Sequence, residues 1–140
     1  FGSVTGAGPD GRKARVPLSE GISPVQGADR KGPTAVVRSA AKMDHLKTGG
    51  ALLNMKFTPS LLADRAGLEK LAALVRSYFK MDGHHMQFNV VRADALREAQ
   101  ASPGEHRDLI VRVAGYSDYF CDLSRELQDE IITRTEHAAF

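Results

Sequence analysis

The chain has one cysteine, Cys121, in 140 residues. An internal disulfide framework is therefore excluded, which suits a reducing compartment such as the cytoplasm. Charge of one sign is not in surplus: 19 Lys and Arg against 17 Asp and Glu leave a net charge of +2, and the basic residues are scattered. Such a chain is not expected to partner nucleic acid or an anionic membrane surface. No apolar run approaches the roughly 20 residues that span a bilayer. No signal peptide opens the sequence, and it does not begin with Met, which points to a fragment or a processed product. The glycine–cation runs Asp10-Gly11-Arg12-Lys13 and Gly27-Ala28-Asp29-Arg30-Lys31-Gly32 lack the Walker spacing, so no nucleotide site is expected. Among His45, His84, His85, His106 and His137 no pair has the i,i+4 helical spacing, and adjacent histidines on a strand diverge. No metal site is expected.

What is present is ordinary in bulk. Hydrophobic content of 42% and charged content of 26% suit a globular domain, and the length suits one. Residues 1–33 are Gly- and Pro-rich without apolar periodicity and read as an extended loop. A loop of that length suits a segment draped over a larger body better than a domain folding alone. Residues 34–140 carry regular patterns. Thr34 is a candidate N-cap for a helix whose stripe of Val36, Ala40, Met43 and Leu46 ends near Lys47. Ala51 to Phe57 alternates as a strand, with Leu53, Met55 and Phe57 on one face. A short helical turn at Ser60–Asp64 precedes a helix from about Ala66 to Met81, with Leu68, Leu71, Leu74, Val75, Tyr78 and Phe79 at spacings of three and four.

Asp82-Gly83 ends that helix, and His84 to Val91 reads as a strand. His85, Gln87 and Asn89 share one of its faces, and amides there need partners if they are buried. A buried hydrogen-bonding ladder is expected from these three. A helix follows from Asp94 to Ala101, then an apolar strand from Leu109 to Val113. Strand, helix and strand in succession predict a right-handed parallel crossover. The last strand runs into Ala114-Gly115-Tyr116, and a helix starting near Ser124 carries Leu127, Ile131 and Ile132 to about residue 136. The class is α/β, with a glycine loop (residues 112–120) set before a terminal helix (about 124–136).

Glycine in that loop lets backbone approach something closely. It is also the residue whose Cα can hold a radical delocalised over the flanking amide nitrogen and carbonyl without a side chain in the way. The wording of the region is specific. Arg112-Val113-Ala114-Gly115-Tyr116-Ser117, then Leu123, Gln128-Asp129-Glu130-Ile131-Ile132 and Arg134-Thr135, resembles the C-terminal signature of the glycyl radical enzymes. That family includes pyruvate formate-lyase, the glycerol, propanediol and hydroxyproline dehydratases, and the choline and isethionate lyases. Gly83-His84-His85-Met86-Gln87-Phe88-Asn89-Val90-Val91 and the run from Pro9 to Ala35 resemble earlier family segments. Tyr116-Ser117-Asp118-Tyr119-Phe120 is more similar to the dehydratase and C–X lyase branches than to pyruvate formate-lyase.

The resemblance implies the C-terminal part of an α/β barrel, with Gly115 as the radical carrier. Arg112, Val113, Ala114, Tyr116, Ser117 and Arg134 would support the loop, Arg134 by reaching back towards it. It implies no bound cofactor, the radical being installed by an S-adenosylmethionine, iron–sulfur activating enzyme. The other implied partners are the rest of the catalytic subunit, a small-molecule substrate and, at full length, a second copy in a homodimer. The family's thiyl-forming cysteine sits in a Gly-Cys motif that this chain lacks. Cys121 reads instead as a small packed residue, and the chain alone is expected to be inactive. Two other readings stay open: a stand-alone radical-carrier subunit that replaces a damaged glycine loop, and a non-enzymatic α/β interaction module.

Overall fold

A computed structural model describes residues 2–49 and 51–140. Up to Gly32 the described chain forms turns and bends with no helix or strand, as the composition predicts. Helix α1 spans Pro33–Ala40, with Pro33 at its start and Gly32 as N-cap at φ 80°. That backbone conformation suits glycine, and proline's fixed φ suits the first helical turn. The cap thus lies two residues before Thr34, and the helix of eight residues is little more than half as long as its apolar stripe suggests. Buried His45 folds back to donate Nε2 to the Ala40 carbonyl at 3.2 Å, satisfying an end group, and Leu46 is left 90% exposed.

Strand β1 (Asn54–Phe57) is the centre of a parallel sheet of order β2-β1-β5, with β2 at Gln87–Val90 and β5 at Glu136–His137. Helix α2 (Arg65–Lys80) joins β1 to β2. Its N-cap Asp64 accepts from the Gly67 amide at 2.7 Å. Gly67 has no substitute there, because a Cβ would sit 1.9 Å from the Leu61 carbonyl oxygen. The buried stripe is narrower than expected: Leu74 and Tyr78 are buried, whereas Leu68 and Phe79 are 54% and 46% exposed. Leu53, Met55 and Phe57 pack with Val36, Val37, Leu74 and Tyr78 into one core.

Helix α3 (Ala93–Ala101) is followed by β3 (Ile110–Arg112), but the parallel crossover expected between β2 and β3 does not form. Instead β3 pairs antiparallel with β4 (Ser117–Tyr119), Arg112 opposite Ser117, in a separate two-stranded sheet. The apolar run that reads as fully buried in fact alternates, Ile110 being 59% exposed and Val111 1%. Val111, Val113 and Phe120 pack with Leu96, Ala99, Ile131 and Ile132 into a second core. Helix α4 (Arg125–Thr133) starts at Ser124, whose hydroxyl accepts from Leu127, and stops three residues earlier than expected so that β5 can join the sheet.

Lys56 explains how the two cores are joined. It is 1% exposed on β1, and its ammonium donates to the carbonyls of Ile132 (3.0 Å) and Ile131 (3.5 Å) at the C-terminal end of α4. A cation there pairs with the negative end of the helix dipole. Burial holds its pKa below the usual 10.5, and Glu136 pulls partly the other way. Glu136 also caps α3, accepting from the Ala93 amide at 2.8 Å.

Candidate functional site

The β3–β4 hairpin places Gly115 at its tip, closed by the Val113 amide donating to the Tyr116 carbonyl at 3.0 Å. Gly115 is exposed, and its φ lies outside the left-handed region. A Cβ built on it would meet only Leu52 Cδ1, at an ordinary 3.6 Å. The two usual reasons for glycine in a turn, positive φ and a close approach, are both absent at this position.

Side chains hold the hairpin's backbone. Asn89 on β2 accepts from the Arg112 amide at 2.7 Å and donates Nδ2 to the Arg112 carbonyl at 2.8 Å. Gln87, two residues earlier on the same face, donates to the Ala114 carbonyl and accepts from Arg112 Nε at 2.6 Å. Arg112 turns its guanidinium along the hairpin, donating Nη2 to the Gly115 carbonyl (3.0 Å) and Nη1 to Ser117 Oγ (3.3 Å). Arg134, just beyond α4, donates to the carbonyls of Val113 (2.6 Å) and Arg112 (3.2 Å). Each carbonyl from Arg112 to Gly115 thus accepts from a protein side chain. Water could have satisfied these groups at an exposed tip; fixed donors instead set the peptide planes on both sides of Gly115 Cα. Fixed planes are what delocalisation of an unpaired electron over both amides requires.

The sequence-derived ladder of His85, Gln87 and Asn89 is corrected in one member. His85 lies before β2 begins, and its Nδ1 is buried without a partner, outside the network that Gln87 and Asn89 make. Val113 is buried, Tyr116 is 50% exposed, and Ser117 meets only the Arg112 guanidinium among the described side chains. Cys121 is half-buried and donates to the His106 carbonyl at 3.3 Å, as a packed residue. Gly115 and Ile110 are both exposed.

Several residues behind the hairpin were not singled out from sequence. Asn54 is the register partner of Gln87 and accepts from its amide, while Asn54 Nδ2 donates to Glu20. Glu130 pairs with Arg134 at 2.8 Å and accepts from Gln26 Nε2 at 2.7 Å. Asp29 accepts from Thr135 and lies 3.4 Å from His137. Burial holds the His137 pKa below 6.5 despite the opposing pull of Asp29, so a neutral imidazole donating to the carboxylate describes that contact better than an ion pair. The extended N-terminal segment is therefore fastened along the polar side of the site. The i,i+4 spacing of Glu130 and Arg134 was the one readable signal. Among the described residues no group of three or more His, Cys, Asp and Glu could hold a metal ion, and no helix is long and apolar enough to cross a membrane.

A family model described as "Glycine radical" matches residues 18–121. The chain belongs to the glycyl radical family. It is 61% identical over 136 residues to trans-4-hydroxy-L-proline dehydratase of Clostridioides difficile, a match covering 97% of this chain and 17% of that protein. The crystal structure of hydroxyproline dehydratase from Clostridioides difficile, with trans-4-hydroxy-L-proline bound, superposes with a TM-score of 0.90 at 59% identity. That match covers 99% of this chain and 18% of the other. The B12-independent glycerol dehydratase from Clostridium butyricum superposes with a TM-score of 0.91 at 50% identity, with the same coverage of 99% and 18%. The chain thus spans under a fifth of the length of these relatives.

Proposed function

We propose that this chain is the radical-bearing C-terminal portion of a glycyl radical enzyme of the dehydratase or C–X lyase type, and that Gly115 carries the radical. One observation supports this most directly: Gly115 is a glycine that neither its backbone angle nor its surroundings require, set where each carbonyl from Arg112 to Gly115 is held by a side chain. Residues 34–140 form the radical domain, with residues 1–33 as the segment strapped across it. In the complete enzyme the hairpin sits inside an α/β barrel, in the cytoplasm of an anaerobe. An S-adenosylmethionine-dependent, iron–sulfur activating enzyme removes one hydrogen atom from Gly115 Cα. The stored radical then takes a hydrogen atom from a cysteine thiol in the rest of the catalytic subunit, and the thiyl radical reacts with a small-molecule substrate. Storage needs Gly115 shielded from dioxygen and installation needs it reachable, so the hairpin visits a minor, opened state that the activating enzyme captures.

The test is anaerobic activation followed by exposure to air and mass measurement of the products. Cleavage at the N–Cα bond of Gly115 is expected, leaving residues 1–114 as a terminal amide and a C-terminal piece whose Tyr116 nitrogen is acylated by the two oxidised carbons of Gly115. A strong radical signal with no cleavage, or with cleavage elsewhere, would overturn the assignment.

A further inference from the structure

We infer that Arg112 is a positioning residue that tunes the stored radical, because its guanidinium donates to the carbonyl oxygen of the radical-bearing residue itself. The inference rests on Gly115 being the carrier. Arg112 Nη2 lies 3.0 Å from the Gly115 oxygen, and the planar group is held in place by Gln87 Oε1 at 2.6 Å from Nε and Ser117 Oγ at 3.3 Å from Nη1. A surface arginine with no task would not be clamped on its other nitrogens.

The chemistry follows from how a Cα radical is stabilised. The unpaired electron mixes with the adjacent carbonyl, which accepts, and with the residue's own amide nitrogen, which donates. A cationic donor at the Gly115 oxygen lowers the energy of the accepting orbital and strengthens that mixing, so the Cα–H bond becomes easier to break. Gln87 works on the other side: its neutral amide polarises the Ala114 carbonyl and draws the nitrogen lone pair of Gly115 away from Cα. The two effects oppose each other. The guanidinium prevails, because charge-assisted hydrogen bonds are roughly twice as strong as neutral ones and arginine stays charged at every working pH.

No proton moves on Arg112. Activation breaks the Cα–H bond homolytically, and the hydrogen atom passes with its electron to the primary alkyl radical that the activating enzyme makes from S-adenosylmethionine; total charge is unchanged. In turnover the hydrogen atom returns from a thiol, leaving a sulfur radical. A weaker Cα–H bond lengthens storage and makes that return step, which breaks a stronger S–H bond, more uphill, so Arg112 sets the balance between the two. Its partners Gly115 and Ser117 lie in the same hairpin, so the contact can travel with the hairpin when it opens.

The test uses the activated protein under strict anaerobiosis. High-field electron paramagnetic resonance on Arg112→Gln should show a larger highest g component than the unsubstituted protein, since an oxygen that loses a cationic donor holds its lone pairs at higher energy, closer to the half-filled orbital. The signal should also decay several-fold faster in storage, and Arg112→Lys should recover part of both effects. An unchanged g tensor and lifetime in a folded Arg112→Gln protein would overturn the inference. Should that variant fail to fold or to activate, the unsubstituted protein grown with guanidino-15N arginine decides the matter. Electron–nuclear double resonance should then show a 15N coupling and an exchangeable proton at the radical, and absence of both overturns the role of Arg112 while leaving Gly115 as carrier. No radical at all in the unsubstituted protein overturns the carrier assignment, and the role of Arg112 with it.

Discussion

Arg134 and Val113 are 21 residues apart in the chain, and the guanidinium of one donates to the carbonyl oxygen of the other at 2.6 Å. The same group reaches the Arg112 carbonyl at 3.2 Å while its charge is balanced by Glu130 at 2.8 Å. The Arg134 and Glu130 side chains are only 11% and 16% exposed, so water replaces neither partner easily. The end of α4 and the approach to the glycine tip are in this way tied into one unit. Arg134→Ala is expected to cost about 2 kcal/mol of stability, the usual range for hydrogen bonds to a charged group. Arg134→Lys should recover less than half of that, because a point charge cannot reproduce the fork. Denaturant midpoints measure both, and an Arg134→Ala protein as stable as its parent would remove Arg134 from the support of the hairpin.

Asn89 makes the other grip on the hairpin, and it is an exact match of donor and acceptor to the Arg112 peptide unit. Asn89→Leu keeps the volume but leaves the Arg112 amide unpaired and the Arg112 carbonyl with Arg134 alone. A loss of about 2 kcal/mol is expected, given ~1–3 kcal/mol for each buried group left unpaired. Hydrogen exchange at the Arg112 amide should accelerate with it. If that amide remains as protected as before, the grip is not made by Asn89.

The sequence carried the long elements well and the short ones poorly, for a physical reason. Helix α2 lies within one residue of its expected limits, because sixteen residues repeat the helical spacing several times over. Strands β4 and β5 have three and two residues, too few to show any period, and both were missed. The parallel crossover was expected from the succession of strand, helix and strand, but β3 pairs with the short β4 that the sequence did not show, and the exposed Ile110 leaves one of its faces uncovered. At the site, Gln87 and Asn89 were legible from their two-residue spacing, and Arg134 only through the family resemblance. Asn54, Glu20 and Lys56 were not legible, since their partners come from strand register and from a loop without pattern.

His137 ties the pH dependence of β5 to Asp29. Its folded pKa is lowered below 6.5, mainly by burial. The sign follows from linkage: the stabilising contribution is present in full above 6.5 and is lost as pH falls through the folded value, where only the unfolded chain binds the proton readily. Lowering the pH below about 6.5 should therefore cost the parent protein more stability than His137→Asn, so the gap between their denaturant midpoints should narrow. A gap that stays constant through this range would show that His137 does not titrate on unfolding.

Gly115→Ala separates what the fold needs from what the chemistry needs. The added methyl group meets only Leu52 Cδ1 at 3.6 Å, and the backbone angle lies outside the left-handed region. Replacing glycine by alanine at a compatible site stabilises by ~0.4–1 kcal/mol through the unfolded chain. The variant should therefore be as stable as the parent or slightly more so. Gly83→Ala is the contrast: its Cβ would fall 2.4 Å from the ring of Tyr78, which is fully buried, and a clear loss of stability is expected there. After anaerobic activation, Gly115→Ala should give no Cα-radical spectrum and no cleavage in air, whereas any folded Gly83→Ala protein should still give both. A radical spectrum from Gly115→Ala would mean that the unpaired electron sits elsewhere. A marked loss of stability in Gly115→Ala would mean instead that the glycine serves the turn, and the chemical reading of this position would lose its main support.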